Sequence, residues 1–220
     1  MVFAMQTISF YKPVDNSLVD LISRAVQQSP KFSKYGPVES SQVMLYSDIG
    51  NNKRMYKVDF EGKSLLAIGL ARDVDYDLYG EFKKLEKLWK KVPEYFPEPY
   101  FFHDESGERI MGMEFFPQST IRESKPLNSR QEKAVAYEIG FALGVTYQRT
   151  GLINEEPHDD NVLIDMENTD NDKEVLVKLI DAMHYREGTW AELIEAACEQ
   201  QELCREYKKN FSRRSTPRQK

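Results

Sequence analysis

The sequence predicts an α+β fold in which a strand-rich half comes first. Short apolar or alternating runs separated by turn residues occupy residues 43–72 and 97–116, and such runs are typical of antiparallel strands. Helical patterns precede, interrupt and follow these runs. A small hairpin is predicted near the end, where the apolar runs 161–165 and 174–181 flank a polar turn. We therefore expect two unequal lobes with a cleft between them.

Four helices are predicted from apolar periodicity and capping signals. The periodic stretches are 17–28, 79–92, 134–150 and a last one that runs to about residue 209. Ser129 and Glu132 form a capping box before the third helix, which Gly151 ends, and Thr189 and Glu192 form a box before the last. The predicted strands of the first half are 43–47, 54–60, 63–72 and two strands joined by a turn at 105–108.

Length, composition and charge are those of a globular protein with one sizeable core. The chain has 220 residues, of which 40% are apolar and 30% charged, and this excludes wholesale disorder, collagen and coiled coil. It carries no apolar run long enough to span a membrane and no secretory signal pattern. The net charge of -6 disfavours binding to nucleic acid or to an anionic membrane. We expect a cytoplasmic protein whose two cysteines, Cys198 and Cys204, are free thiols.

Two polar side chains flank the apolar strands of the predicted hairpin. Asn161 precedes the strand 162–164 after a loop dense in acids, and Asp181 ends the strand 177–180. The polar turn between the strands brings them side by side, so an amide oxygen and a carboxylate converge at one end of the hairpin. Converging oxygen ligands suit Mg²⁺, which takes few protein ligands and completes its shell with water and phosphate oxygens. Asn161 and Asp181 are therefore candidate metal ligands.

The stretches GLINEEPHDDNVLID at 151–165 and VKLIDAM at 177–183 together resemble the protein-kinase-like superfamily. In that family a catalytic loop of the form Gly-Ile-x-His-x-Asp-x-x-x-x-Asn leads into a short hairpin that ends in Asp-Phe-Gly. The resemblance covers about residues 43–187. It implies that Asn161 and Asp181 bind Mg²⁺ and that Asp-Ala-Met stands here where the family has Asp-Phe-Gly.

Upstream motifs resemble the nucleotide-binding elements of the same family. GMEFF at 112–116 resembles the hinge, in which Met113 guards the back pocket and the backbone that follows binds adenine. Glu81 opens a Glu-x-x-x-Leu-x-x-Leu pattern, like the helix whose Glu pairs with the ATP-binding Lys. DIGNNKRMYKV at 48–58 resembles a reduced glycine-rich loop that retains only Gly50. The residues implied to bind ATP are Gly50, Lys53, Ala67, Glu81, Met113, Glu114, Phe115 and Phe116.

The chain departs from the family at three chemically important positions. In the strand LLAIGLA, Gly69 stands where the family has its phosphate-binding Lys. In the catalytic loop, Glu156 replaces the Asp and Asn154 replaces the His. A Glu still orients a hydroxyl or accepts its proton, but a displacement of about 1 Å costs roughly 100-fold in rate. The candidate catalytic residues are Glu156, Asn161 and Asp181.

Lys53 is a candidate replacement for the absent phosphate anchor. If residues 60–62 form a three-residue hairpin loop, Lys53 faces Gly69 across the sheet. A two-residue loop places Arg54 there instead. The first arrangement resembles the with-no-lysine kinases, in which a Lys from the glycine-loop strand has this role. Gly69 then leaves space for the Lys53 side chain.

The resemblance implies a minimal bilobal kinase-like fold. The expected parts are an accessory helical segment at 1–40, an N-lobe at 41–116, a truncated helical C-lobe at 117–210 and a disordered basic tail at 211–220. The implied function is an atypical phosphotransferase that uses ATP and Mg²⁺ and phosphorylates a protein hydroxyl. The alternative is a pseudokinase that acts as a nucleotide-binding or protein-binding scaffold. The sequence identifies neither the acceptor nor a protein partner.

Overall fold

The chain forms two compact units. The computed structural model describes residues 14–47, 53–61, 65–71, 73, 75–121, 127–157, 159–165 and 175–196. The first unit consists of residues 1–82 and 99–115, and the second of residues 83–98 and 116–220. The chain passes between the units within a helix, after residue 98, and between Phe115 and Phe116. The last of these crossings lies within the segment predicted as the hinge.

The described residues form a mixed α+β structure, as the sequence predicts. The helices are α1 (Asn16–Gln28), α2 (Leu78–Lys91) and α3 (Ser129–Thr150), and residues 190–196 are also helical. The strands are β1 (Val43–Ser47), β2 (Lys53–Asp59), β3 (Leu65–Ala71), β4 (Pro99–Glu105), β5 (Glu108–Glu114), β6 (Ser119–Thr120), β7 (Leu152–Asn154), β8 (Val162–Asp165), β9 (Leu176–Leu179) and β10 (Tyr185–Glu187).

Five antiparallel strands form the sheet of the first unit, in the order β1-β2-β3-β5-β4. β1, β2 and β3 form the predicted meander, and β4 and β5 form the predicted hairpin. The turn of that hairpin holds Ser106 and Gly107 at φ values of 57° and 86°. This left-handed conformation is the one that tight hairpin turns require. The antiparallel sheet predicted for the first half of the chain is therefore confirmed.

α1 covers one face of this sheet. The Asp15 side chain caps the helix by accepting a hydrogen bond from the backbone N–H of Ser17 at 3.1 Å. The apolar stripe of the helix packs on alternate side chains of the strands. The resulting core includes Leu21, Ile22, Val26, Tyr56, Val58, Ile68 and Ile110. The segment predicted as an accessory element thus supplies one layer of the core of the first unit.

The N-cap of α3 lies one residue before its predicted capping box. The side chain of Asn128 caps the helix by accepting two hydrogen bonds of 3.0 Å, from the backbone N–H groups two and three residues further on. Gln131 completes the box by accepting from the Asn128 N–H at 3.0 Å. The box predicted for Ser129 and Glu132 is wrong, because Asn caps as well as Ser and the overlapping Asn-x-x-Gln frame competes with it. Gly151 ends the helix as predicted, at a φ of 71°.

The second unit contains two small sheets, with the strand orders β6-β8-β9 and β10-β7. β8 and β9 form the predicted hairpin. β7 follows α3 directly and pairs with β10, with Asn154 opposite Tyr185, and neither of these short strands is evident from the sequence pattern. The C-terminal part of α2 belongs to this unit, where Lys84 Nζ donates to the carbonyl of Met183 at 2.7 Å. In the described part of the second unit, α3 is thus followed by two pairs of short strands, β7 with β10 and β8 with β9.

The capping box predicted before the last helix is formed. Glu192 Oε2 accepts from the Thr189 N–H at 2.7 Å, and the Glu192 N–H donates to Thr189 Oγ1 at 3.3 Å. The bonds from Thr189, together with Arg186, hold the pKa of Glu192 below its usual range. The predicted continuation to residue 209, both cysteines and the predicted basic tail lie outside the described residues. Within the described part of the chain, no helix has the length and apolar character of a membrane span.

We expect Ile22→Ala to destabilise the protein by about 2–5 kcal/mol, because Ile22 is fully buried between α1 and the sheet and its truncation leaves a cavity. Urea denaturation measures this change. Gln27→Ala, at an exposed position of the same helix, is the matched control and should change stability by less than about 0.5 kcal/mol. Equal stability of both variants would contradict the integral packing of α1.

Candidate functional site

One face of the sheet in the first unit gathers several residues predicted to bind nucleotide. Successive side chains of a strand point to opposite faces. Ala67 and Gly69 therefore share one face of β3, opposite to the face on which Ile68 contacts α1. In the neighbouring strands, Met113 pairs with Ala67, and Lys53 lies diagonally across from Gly69. The sheet thus brings Lys53, Ala67 and Met113 onto the face that α1 does not cover.

The register between β2 and β3 differs from the prediction. Lys53 pairs with Ala71 rather than with Gly69. The predicted three-residue loop at 60–62 is wrong, because that loop would pair Asp59 with Lys63, whereas Asp59 pairs with Leu65. The pairing is displaced by two positions, and since side chains alternate with a period of two, every side chain keeps its predicted face. Lys53 and Gly69 therefore remain neighbours.

Gly69 leaves room for the Lys53 side chain. A Cβ at this position would lie 3.7 Å from Lys53 Cδ, 3.6 Å from Met55 Sδ and 3.5 Å from Met111 Cγ. These are ordinary van der Waals distances, so a methyl group fits, whereas a longer side chain would compete with Lys53 for the same space. Arg54, the alternative anchor, lies on the opposite face of β2 and is exposed.

Lys53 forms an ion pair with Glu81 of α2. Lys53 Nζ contacts Glu81 Oε1, and the hydroxyl of Tyr76 donates to Glu81 Oε2 at 2.8 Å. The side chain of Glu81 is 1% exposed and that of Lys53 is 16% exposed. A carboxylate buried to this degree requires charged or hydrogen-bonding partners. The structure thus brings together the two residues that the sequence pairs, and their role in nucleotide binding stays a prediction.

Aromatic packing holds the N-terminal turn of α2 on this face. The rings of Tyr79 and Phe82 lie 5.0 and 6.1 Å from the ring of Phe102. Phe102 pairs with Met111, which pairs in turn with Gly69. The helix is therefore anchored on β4, two strands away from Gly69, and this anchoring lets Glu81 reach the Lys53 ammonium.

The segment predicted as the hinge joins the two units, and its aromatic side chains each contact their own unit. In the first unit, the ring of Phe115 packs edge-on against Tyr46 at 5.0 Å, and Lys57 Nζ lies 5.3 Å from the ring centre of Phe115. In the second unit, Lys178 Nζ lies 4.8 Å from the ring centre of Phe116. The adenine contacts predicted for the backbone of this segment stay a prediction.

The hairpin of β8 and β9 places Asn161 and Asp181 at the same end. The N–H of Ile180 donates to the carbonyl of Asn161 at 2.9 Å, which extends the strand pairing by one residue, and Asp181 follows directly. Asp181 adopts a φ of 65°, a left-handed conformation that Asp tolerates better than most residues. Its Oδ1 accepts from the N–H of Met183 at 3.4 Å. The two residues therefore lie at the same end of the hairpin, as predicted, and the convergence of their side-chain oxygens on a metal ion stays a prediction.

Side-chain hydrogen bonds shape the loop that precedes Asn161. Asn154 Oδ1 accepts from the N–H of Glu156 at 2.9 Å, and Asn161 Nδ2 donates to the carbonyl of Glu156 at 3.2 Å. Asn154 thus forms an Asx-type turn. The backbone of Glu156 is held on both sides, while its side chain is 52% exposed. These hydrogen bonds fix the backbone of a residue whose carboxylate is accessible to solvent.

His184 is a candidate functional residue that the sequence analysis missed. Its Nδ1 lies 3.4 Å from Glu156 Oε2, and its Nε2 lies 3.7 Å from Asp181 Oδ2. Its carbonyl accepts from the N–H of Glu155 at 3.1 Å. The imidazole thus contacts the candidate catalytic carboxylate and a candidate metal ligand. The signal in the sequence is its position three residues after Asp181. The 3₁₀ turn at Ala182–His184 brings the His184 ring close to the Asp181 carboxylate.

A buried phenol supports the same loop. Tyr185 pairs with Asn154 across β10 and β7, and its ring lies 5.4 Å from that of Phe96. Burial raises the pKa of the Tyr185 phenol, and the nearby Asn154 side chain opposes this effect only in part. The phenol is therefore neutral at physiological pH and contributes packing rather than acid–base chemistry.

The donor set at the hairpin end consists of one amide and one carboxylate, from Asn161 and Asp181. Two oxygen ligands of this kind fit Mg²⁺, which takes its remaining ligands from water and phosphate. Among the described residues, no three His, Cys, Asp or Glu side chains are grouped to hold a metal ion. Gly50, predicted in the reduced glycine-rich loop, lies outside the described residues.

No protein-family model matches this chain, and no curated protein matches it significantly. The functional assignment therefore depends on the chemistry and geometry of its own residues.

We expect the ion pair of Lys53 and Glu81 to give strongly non-additive stability changes. Lys53→Met leaves a buried carboxylate without its cation and should cost about 3–5 kcal/mol. The double variant Lys53→Met/Glu81→Leu removes both charges, so its loss should be smaller than the sum of the two single losses. Urea denaturation of the four proteins measures the coupling. Additive losses would contradict a direct interaction between the two side chains.

Proposed function

We propose that this protein is an atypical ATP-dependent phosphotransferase of the protein-kinase-like type, with the first unit as the N-lobe and the second as a truncated C-lobe. The observation that supports the proposal most directly is the buried pair of Lys53 and Glu81 beside Gly69. In the family that the sequence resembles, a Lys paired with a helical Glu binds the phosphates of ATP. A Lys from β2 supplies that pair here, where β3 carries a glycine.

Each retained residue has a role in the proposed reaction. Lys53 binds phosphate oxygens of ATP, and Glu81 holds the Lys53 ammonium in place. Glu156 orients the acceptor hydroxyl and takes its proton as the hydroxyl oxygen attacks the γ-phosphorus. A new bond forms between that oxygen and phosphorus, the bond from the γ-phosphorus to the bridging oxygen breaks, and ADP leaves.

Asn161 and Asp181 are the residues proposed to hold Mg²⁺. The hydrogen bond from Asn161 Nδ2 to the carbonyl of Glu156 fixes the amide so that Oδ1 is its ligand atom. Asp181 adds a carboxylate from the other side of the hairpin end. A bound Mg²⁺ would neutralise charge on the phosphates. The same hydrogen bond ties the position of the proposed metal ligand to that of the proposed catalytic residue.

A second candidate function is a nucleotide-binding pseudokinase. It is favoured by the 3.4 Å contact between His184 Nδ1 and Glu156 Oε2. A carboxylate engaged by an imidazole is held away from a substrate hydroxyl unless that contact breaks. In this alternative, Lys53, Asn161 and Asp181 bind nucleotide and metal, but phosphoryl transfer does not follow.

We expect ATP with Mg²⁺ to raise the melting temperature of the protein, because a ligand that binds only the native state stabilises it by mass action. Asp181→Ala should lose the metal-dependent part of this shift. Thermal denaturation at millimolar ATP, with and without Mg²⁺, measures both effects. The absence of any shift for the wild-type protein would contradict nucleotide binding and both candidate functions.

We expect Glu156→Gln to lower phosphoryl transfer by about 100-fold without weakening nucleotide binding, because it removes the proton acceptor and keeps the shape. The assay follows label from γ-labelled ATP to generic protein acceptors and to proteins of a cell lysate. Glu155→Gln, which changes a neighbouring carboxylate that pairs with Arg186 at 2.5 Å, is the matched control. Transfer unaffected by Glu156→Gln would overturn the role of Glu156, and binding without transfer would favour the pseudokinase.

We expect Lys53→Met to weaken ATP binding by about tenfold to 100-fold, the effect of removing hydrogen bonds to a charged group. Adding Gly69→Lys should recover most of this loss, because a side chain from Gly69 enters the space that the Lys53 stem occupies. Calorimetric titration with ATP and Mg²⁺ measures the affinities. Unchanged affinity in Lys53→Met would overturn the anchor, and Gly69→Leu in the wild-type protein is the control that blocks the same space.

A further inference from the structure

The two oxygens of Glu81 have different partners. Oε1 contacts Lys53 Nζ from β2, and Oε2 accepts a hydrogen bond of 2.8 Å from the hydroxyl of Tyr76. Tyr76 lies in the connection between β3 and α2, five residues before Glu81. The carboxylate is therefore held from the sheet on one side and from this connection on the other.

The backbone around Tyr76 is itself fixed by hydrogen bonds. Its N–H donates to the carbonyl of Asp73 at 3.2 Å, and its carbonyl accepts from the N–H of Leu78 at 2.8 Å. Arg109 from β5 donates to the same Asp73 carbonyl at 3.2 Å. At the start of α2, Asp77 Oδ1 accepts from the N–H of Gly80 at 2.8 Å. These hydrogen bonds tie the connection to the sheet and to α2, and they therefore fix the backbone position from which the Tyr76 side chain reaches Glu81.

The burial of Glu81 makes this hydroxyl important for orientation. With a side chain that is 1% exposed, Glu81 has little access to water as a substitute donor. A carboxylate bound at one oxygen alone is free to turn about its terminal torsion, whereas donors at both oxygens fix its plane. The Lys53 side chain is 16% exposed and its ammonium contacts Glu81 Oε1, so the position of Oε1 helps to set the direction of the ammonium.

We infer that Tyr76 is a positioning residue for the proposed phosphate anchor: its hydroxyl fixes the Glu81 carboxylate, and the carboxylate fixes the Lys53 ammonium beside Gly69. The inference rests on the proposed function, since the anchor is defined by nucleotide binding. The Tyr76 phenol, from the connection before α2, thus completes the proposed anchor, whose Lys comes from β2 rather than from β3. It acts through Glu81 and Lys53 rather than on the nucleotide.

The test is a double-mutant cycle on the affinity for ATP with Mg²⁺, measured by calorimetric titration. We expect Tyr76→Phe, which keeps the ring and removes only the hydroxyl, to raise the Kd about tenfold. In the Lys53→Met background the same change should have no further effect, because the residue through which Tyr76 acts is absent. Tyr79→Phe is the matched control, since Tyr79 packs on Phe102 with its ring and Phe retains that contact.

The outcomes separate this inference from the function on which it rests. A wild-type protein that binds no nucleotide overturns the proposed function, and the inference with it. Sensitivity to Lys53→Met combined with unchanged affinity in Tyr76→Phe overturns the inference alone. An equal loss of affinity from Tyr76→Phe in both backgrounds also overturns it, because a general structural effect does not depend on Lys53.

Discussion

The buried carboxylate of Glu81 is the constraint on which the candidate site of the first unit depends. A charge with 1% exposure destabilises the fold unless a cation and hydrogen-bond donors reach it. Lys53 supplies the cation from β2, and Tyr76 supplies a donor from the connection before α2. These contacts require that α2 lies over this face of the sheet, that Lys53 points to the same face, and that residue 69 has no long side chain.

The sequence predicted the faces of the sheet better than its pairing. Alternation of apolar and polar residues identifies which side chains share a face, and this placed Lys53 with Gly69 correctly. The exact register depends on the turn between β2 and β3, and the turn residues Glu61 and Gly62 alone do not determine it. The predicted cap of α3 was wrong for a related reason. Asn128 and Ser129 each begin a possible capping box, and the two boxes overlap and are of similar strength.

The site of the second unit was predictable where it follows strand pairing and was missed where it follows a local turn. Asn161 and Asp181 lie at the same end of a hairpin because two apolar strands pair, a pattern that is plain in the sequence. His184 approaches Asp181 only because Asp181 is left-handed and a single 3₁₀ turn follows. Tyr76 was missed similarly, since its contact with Glu81 depends on how residues 73–77 turn before α2. Such turns carry little periodic signal.

Under the proposed function, the glycine in β3 and the glutamate in the loop before Asn161 have different consequences. Gly69 lies where the resemblance implies a Lys, and Lys53 of β2 supplies a cation that pairs with Glu81 on the same face of the sheet. In the loop, Glu156 has a side chain one methylene longer than the Asp that the resemblance implies, and this carboxylate contacts His184. Because the Lys side chain is long and flexible, its ammonium can reach the same place from a different strand. A proton acceptor, in contrast, must lie within hydrogen-bond distance of the reacting hydroxyl. The distinction between the two proposed functions therefore depends on Glu156 and His184 more than on the residue at position 69.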